Sequence, residues 1–146
     1  MKISILGGAT TRFGELWNVS PRELVSEVAN KVFKNASAGK SRIDAVFVGN
    51  MLSSRLGNQD HLGAFFSEEL GLNVPSVKVE AACASGGMAV HLAVLSLLSG
   101  QYENVSLRQR RYGRGVSHSH QGPAQLALRD PERFLRSAHQ RTEPFQ

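Results

Sequence analysis

Val77-Lys78-Val79-Glu80-Ala81-Ala82-Cys83-Ala84-Ser85-Gly86-Gly87-Met88-Ala89-Val90-His91-Leu92-Ala93-Val94-Leu95-Ser96-Leu97-Leu98-Ser99-Gly100 decides the fold. Val77, Val79 and Ala81 alternate with Lys78 and Glu80, which predicts a short strand with one face not fully buried, of the kind found at a sheet edge. A tight turn of small residues follows, and then a long apolar helix over 85–99. The chain's one cysteine, Cys83, falls at that helix start, where unpaired N–H groups and the positive end of the helix dipole favour a thiolate over a thiol. Ala81, Ala82, Ala84, Ser85, Gly86 and Gly87 let the backbone turn sharply and leave room for a carbonyl beside the sulfur. Spacing alone leaves two readings open, a nucleophile or a buried cysteine packed as a small hydrophobe.

Upstream, Ile3–Gly8 is a short apolar run ending in a glycine pair, a buried strand followed by a loop. Ser20-Pro21-Arg22-Glu23 carries a helix start, with Ser20 as N-cap, Pro21 in the first turn and Glu23 closing a capping box. Leu24, Val25, Val28, Ala29, Val32 and Phe33 keep one apolar face, opposite Glu27, Lys31 and Lys34, until the helix ends by Gly39. Ile43–Val48 is a second buried strand, and the β–α–β order predicts a parallel sheet with right-handed crossovers. Asn58 is placed to cap a following helix, where Leu62, Phe65, Phe66 and Leu70 form a core stripe before a stop at Gly71. The helix after Cys83 is apolar on nearly every side and therefore needs cover all round.

Asn104-Val105-Ser106-Leu107 begins a further parallel strand, after which the character of the chain changes. Residues 1–107 hold nine Lys/Arg and nine Asp/Glu, whereas residues 108–146 hold eight Arg, no Lys and three acids, so the formal net charge of +5 resides in the tail. A tail with no sustained period reads as irregular and disordered, and the exchange of lysine for arginine is what a shifted reading frame or truncation would give. A single cysteine excludes an internal disulfide framework and suits a reducing compartment. No stretch is long and apolar enough to span a bilayer, and Met1-Lys2-Ile3-Ser4-Ile5 begins a strand instead of a signal peptide, so the expected location is cytoplasmic.

Glu80-Ala81-Ala82-Cys83-Ala84-Ser85-Gly86-Gly87 resembles the nucleophile motif of the thiolase family, in particular its archaeal and sterol-carrier-like branch. The resemblance runs back through Gln59-Asp60-His61-Leu62-Gly63-Ala64, 43–52 (Ile-Asp-Ala-Val-Phe-Val-Gly-Asn-Met-Leu) and 5–14, and stops near residue 107. It implies an N-terminal domain fragment over 1–107, an incomplete βαβαβαβ half-domain with a mostly parallel sheet and a buried central helix, joined to a non-family Arg-rich tail over 108–146. It further implies an acetyl-CoA C-acetyltransferase-like acyltransferase with Cys83 as catalytic residue. Acyl-CoA or acetyl-CoA is then the substrate, with no bound cofactor and no metal. The resemblance also implies a homo-oligomer, with the edge strand pairing with its twin.

The family draws its remaining acid–base groups largely from its second half, through a Gly-His-Pro histidine and an Asn-Glu or His-Asp motif, and none of these occurs in the 146 residues. The chain is therefore expected not to turn over alone. His91 lies eight residues beyond Cys83 on one helix, about 12 Å along the axis, out of reach as its base, and is read as a core residue. His61 reads as a capping or supporting residue, and His118 with His120 lacks the further placed ligands of a metal site. Two alternatives stand beside the enzyme reading. One is a non-catalytic chain that binds a full-length thiolase or an acyl-CoA. The other is an Arg-rich nucleic-acid binder, disfavoured because the arginines lack interleaved aromatics and a recognisable module.

Overall fold

A computed structural model describes residues 2–14, 16–36, 39–109 and 124–129. Along the chain run β1 (Ser4–Thr10), α1 (Pro21–Ala36), a 3-10 turn (Lys40–Arg42), β2 (Ala45–Gly49), α2 (Ser53–Gly57) and α3 (Leu62–Leu70). They are followed by β3 (Ser76–Val79), α4 (Ser85–Leu98), β4 (Asn104–Gln109) and β5 (Ala124–Arg129). One five-stranded sheet has the order β1-β5-β4-β2-β3. β2 is parallel to both β3 and β4, whereas β5 is antiparallel to its neighbours β4 and β1. Four strands thus point one way and β5 the other. The fold is α/β with a mostly parallel sheet, and β3 occupies the edge that its alternating pattern predicted.

All five residues of β2 are buried because both faces of the sheet are covered there. Val46 and Val48 point to one side, where Val25 and Ala29 of α1 meet Leu62, Phe66 and Leu70 of α3. Ala45 and Phe47 point to the other, where Ala89, Ala93 and Leu97 of α4 pack with Val79, Val105 and Leu107. The register at the start of β4 is fixed by Asp44, whose Oδ2 accepts the N–H groups of Glu103 at 2.9 Å and Asn104 at 2.8 Å.

The helix boundaries follow from local chemistry. Ser20 N–H donates to Glu23 Oε2 at 2.6 Å and Glu23 N–H donates to Ser20 Oγ at 3.2 Å, the reciprocal box expected at this position. The Ser20 N–H also holds the Glu23 carboxyl below its ordinary pKa. Gly71 ends α3 in the left-handed conformation at φ 62. Asn58 does not cap α3: it is the left-handed C-cap of α2, and His61 takes the N-cap position. With only five residues, α2 is too short to show a helical period.

Two further expectations are corrected. The tail was expected to be irregular, but Ala124–Arg129 forms β5 in the interior of the sheet. It pairs Leu128 with both Ile5 and Val105, and so occupies what would otherwise be open edges of β1 and β4. Residues 110–123 and 130–146, including His118 and His120, lie outside the described residues. The central helix is also not enclosed. α4 buries Ala89, Ala93 and Leu97, one stripe at four-residue spacing, while Met88, Val90, Leu95 and Leu98 are exposed.

α1 and α3 are tied together by Glu69, which accepts from Arg22 Nη1 at 2.7 Å and Ser26 Oγ at 2.9 Å. The Arg22 guanidinium also lies 5.1 Å from the Phe65 ring centroid. The hydrogen bond from Arg22, reinforced by that from Ser26, lowers the Glu69 pKa. A carboxylate depressed in the folded state contributes stability above its unfolded pKa and loses it as pH falls through the folded value. The melting-temperature advantage of the wild type over Glu69→Gln is therefore expected to be small, present at neutral pH, and erased as acid protonates Glu69. Paired thermal melts across the acid range check this; an advantage that grows with acidity contradicts the pairing.

Candidate active site

β3 leaves the sheet at Val79 and reaches α4 through five residues, with Cys83 exposed among them. Ala82 has φ 46, a left-handed conformation that costs a residue bearing a Cβ. The turn is closed by Ala84 N–H donating to the Ala81 carbonyl at 2.8 Å and Ser85 N–H donating to the Ala82 carbonyl at 3.2 Å. Ser85 Oγ accepts from Ala81 N–H at 3.0 Å and donates to the Ala82 carbonyl at 2.7 Å. Cys83 therefore sits at the crest of a reversed turn whose base is cross-linked by one buried hydroxyl.

The crest lies above the carboxyl ends of the parallel strands, where open α/β sheets present their ligand sites. Thr11, Asn50 and Glu80 directly follow β1, β2 and β3 at that edge. Asn50 is buried and its N–H donates to the Val79 carbonyl at 3.0 Å. Thr11 Oγ1 and Ser53 Oγ are buried and find no hydrogen-bond partner among the described residues. Asn50 and Ser53 follow β2, the neighbour of β3, whereas Thr11 follows β1 at the far side of the sheet.

Gly49, the last residue of β2, brings α4 down onto the sheet. A Cβ there would stand 2.6 Å from the Ser85 carbonyl oxygen and 2.9 Å from Gly86 Cα, both backbone atoms that cannot swing aside. Gly49→Ala is accordingly expected to push the first turn of α4 away, to destabilise the chain by about 1–3 kcal/mol, and to alter the rate at which iodoacetamide alkylates Cys83. Urea denaturation and timed alkylation read the two effects, and wild-type values for both would show that the helix does not rest on β2. Gly87 has open space beyond its Cα, so the next turn of α4 leaves its surroundings uncrowded.

Of the described residues, His61 and His91 do not assemble with the cysteine. His91 is exposed, not a core residue as expected, because it stands two positions beyond buried Ala89, about 200° around α4. His61 is exposed at the N-cap of α3, and its side chain makes no capping hydrogen bond. Among the described residues neither imidazole is hydrogen-bonded to Cys83, and no cluster of His, Cys, Asp and Glu could hold a metal ion. Sequence reading missed Ser85 and Gly49 as parts of the site. In the sequence Ser85 reads only as a small residue, although a hydroxyl two positions after a turn's crest can bond back to it.

The fold and the site together define an α/β chain with a mostly parallel sheet and an exposed cysteine on a strand-to-helix turn at the sheet's carboxyl end. A family model described as "Thiolase, N-terminal domain" matches residues 3–107. The acetyl-CoA acetyltransferase of Methanothermobacter thermautotrophicus is 36% identical over 104 residues, which are 70% of this chain and 27% of that protein. That of Methanocaldococcus jannaschii is 42% identical over 99 residues, 67% of this chain and 25% of that protein. The fold is similar to that of the Acat5 thiolase from Ascaris suum in complex with coenzyme A, with TM-score 0.68, 18% identity, and coverage of 84% of this chain and 35% of that one. The chain belongs to the thiolase family. It spans about a quarter of the length of the curated relatives it matches.

Proposed function

We propose that Cys83 accepts an acyl group from an acyl-CoA, acetyl-CoA foremost, in an acetyl-CoA acetyltransferase-like reaction. The observation that carries this reading is the exposed sulfur on a cross-linked, left-handed turn at the start of α4, inside the stretch shared with the family. The deprotonated Cys83 Sγ attacks the thioester carbonyl carbon, the bond from that carbon to the coenzyme A sulfur breaks, and the leaving thiolate takes up the proton that Cys83 lost. One thioester replaces another, so no oxidant, metal or bound cofactor enters the balance.

The chain as given is proposed to carry out this half-reaction and no complete cycle, in the cytoplasm. A homo-oligomer is part of the proposal, since β3 is an edge strand with Val77 exposed beside open backbone groups. Mass spectrometry after incubation with acetyl-CoA tests the assignment. The expected result is one added acetyl group on the Cys83 peptide; an unmodified Cys83 in folded protein, under conditions where a denatured control is alkylated, overturns it. The open apolar face of α4 favours a second reading, a non-catalytic chain that binds a full-length thiolase. An unacetylated Cys83 together with co-sedimentation with a full-length acetyltransferase would select it.

A further inference from the structure

We infer that Ser85 is a positioning residue for acyl transfer, acting through Cys83 without touching the substrate. The inference rests on the reading of Cys83 as the nucleophile. Ser85 is 4% exposed, so water does not compete for its hydroxyl. That hydroxyl is used twice: it receives the Ala81 N–H from the strand side of the turn and gives its own proton to the Ala82 carbonyl at the crest. Ala81 and Ala82 are the two residues immediately before Cys83, and Ala82 is the one held at φ 46.

An alanine has no preference for that conformation, so something must hold it there. Two backbone bonds, from Ala84 N–H to the Ala81 carbonyl and from Ser85 N–H to the Ala82 carbonyl, close the turn from one side. The Ser85 hydroxyl closes it from the other, and its peptide is pinned because Gly49 packs against the Ser85 carbonyl. Without the hydroxyl, the Ala81 N–H loses its acceptor and the Ala82 peptide loses one of its two donors. The sulfur one residue on then samples orientations other than the productive one.

The expected consequence of Ser85→Ala is a loss of about 10- to 100-fold in the rate of Cys83 acetylation, the scale attached to misplacing a reacting group by about 1 Å. Ala82→Gly in that background removes the Cβ that disfavours the left-handed turn and is expected to recover part of the loss. Loss of packing alone would not be repaired in this way. The experiment follows acetylation of the full chain by mass spectrometry for wild type, Ser85→Ala and the double variant, with hydrogen exchange at Ala81, Ala84 and Ser85. A Ser85→Ala chain acetylated at the wild-type rate overturns the inference. So does a slow variant that Ala82→Gly leaves slow. If Ser85→Ala fails to fold, exchange in the wild type decides: the Ala81 amide is expected to be protected, and exchange at the rate of an open loop overturns the hydroxyl's role. Failure of the parent reading looks different. Wild-type Cys83 would then take no acetyl group, while Ala81 protection and the iodoacetamide rates of wild type and Ser85→Ala would still report on the turn.

Discussion

Mixed with an excess of acetyl-CoA, the chain is expected to release coenzyme A up to one equivalent and then stop, and Cys83→Ala is expected to abolish even that. Acylation needs a nucleophile, whereas a cycle also needs a group to accept and return protons and donors for the charge that develops on oxygen. His91 is turned to the opposite side of α4 from the buried stripe, and His61 stands exposed at the N-cap position of α3 without a side-chain capping bond. Neither is bonded to the cysteine, so the described residues offer the proposed nucleophile no imidazole partner. Loss of catalytic groups that act as a unit typically removes orders of magnitude in rate, and the difference between a stoichiometric burst and turnover is visible in a thiol-release assay. Continued release, or steady formation of acetoacetyl-CoA that Cys83→Ala abolishes, would show that other residues of this chain complete the site.

Local rules made much of the fold legible. The capping box at Ser20, the glycine stop at Gly71 and the buried run of β2 each depend on neighbours within a few residues, and each appears where its pattern lies. β3 lies at the sheet edge, but its burial does not follow the alternation, since Val77 is exposed while Lys78 is half-buried. β5 escaped because Ala-Gln-Leu-Ala-Leu-Arg has no β-branched residue and lies in an arginine-rich context. Its place comes from pairing with β4 and with β1, the latter far away in sequence. Of the site, the cysteine and its turn were readable from small residues at a strand-to-helix junction. The cross-link by Ser85 was not, because it depends on φ 46 at Ala82 bringing a carbonyl and an N–H within reach of one hydroxyl. The orientation of α4 was hidden for a different reason: a helix apolar on every side carries no signal of which side meets the sheet.

That ambiguity yields the largest expected contrast in stability, between Phe66→Ala and Leu95→Ala. Phe66 is fully buried between α1, α3 and the sheet, its ring packed edge-on against Phe65 with centroids 5.6 Å apart. Truncating a phenylalanine in such a place removes transfer energy and leaves a cavity, about 3–5 kcal/mol together. This is a large part of the roughly 5–15 kcal/mol margin of an ordinary domain, so Phe66→Ala is expected to melt far below the wild type or to fail to fold. Leu95 belongs to the helix that composition alone would enclose, yet it is 46% exposed. Since full burial of a leucine is worth about 1.5–3 kcal/mol, a half-exposed one that vacates no tight cavity should cost about 1 kcal/mol or less. Denaturant titrations of the two variants at several protein concentrations measure both effects. If Leu95→Ala proves as costly as Phe66→Ala, and more so at high concentration, the outer face of α4 is covered in solution by a second chain.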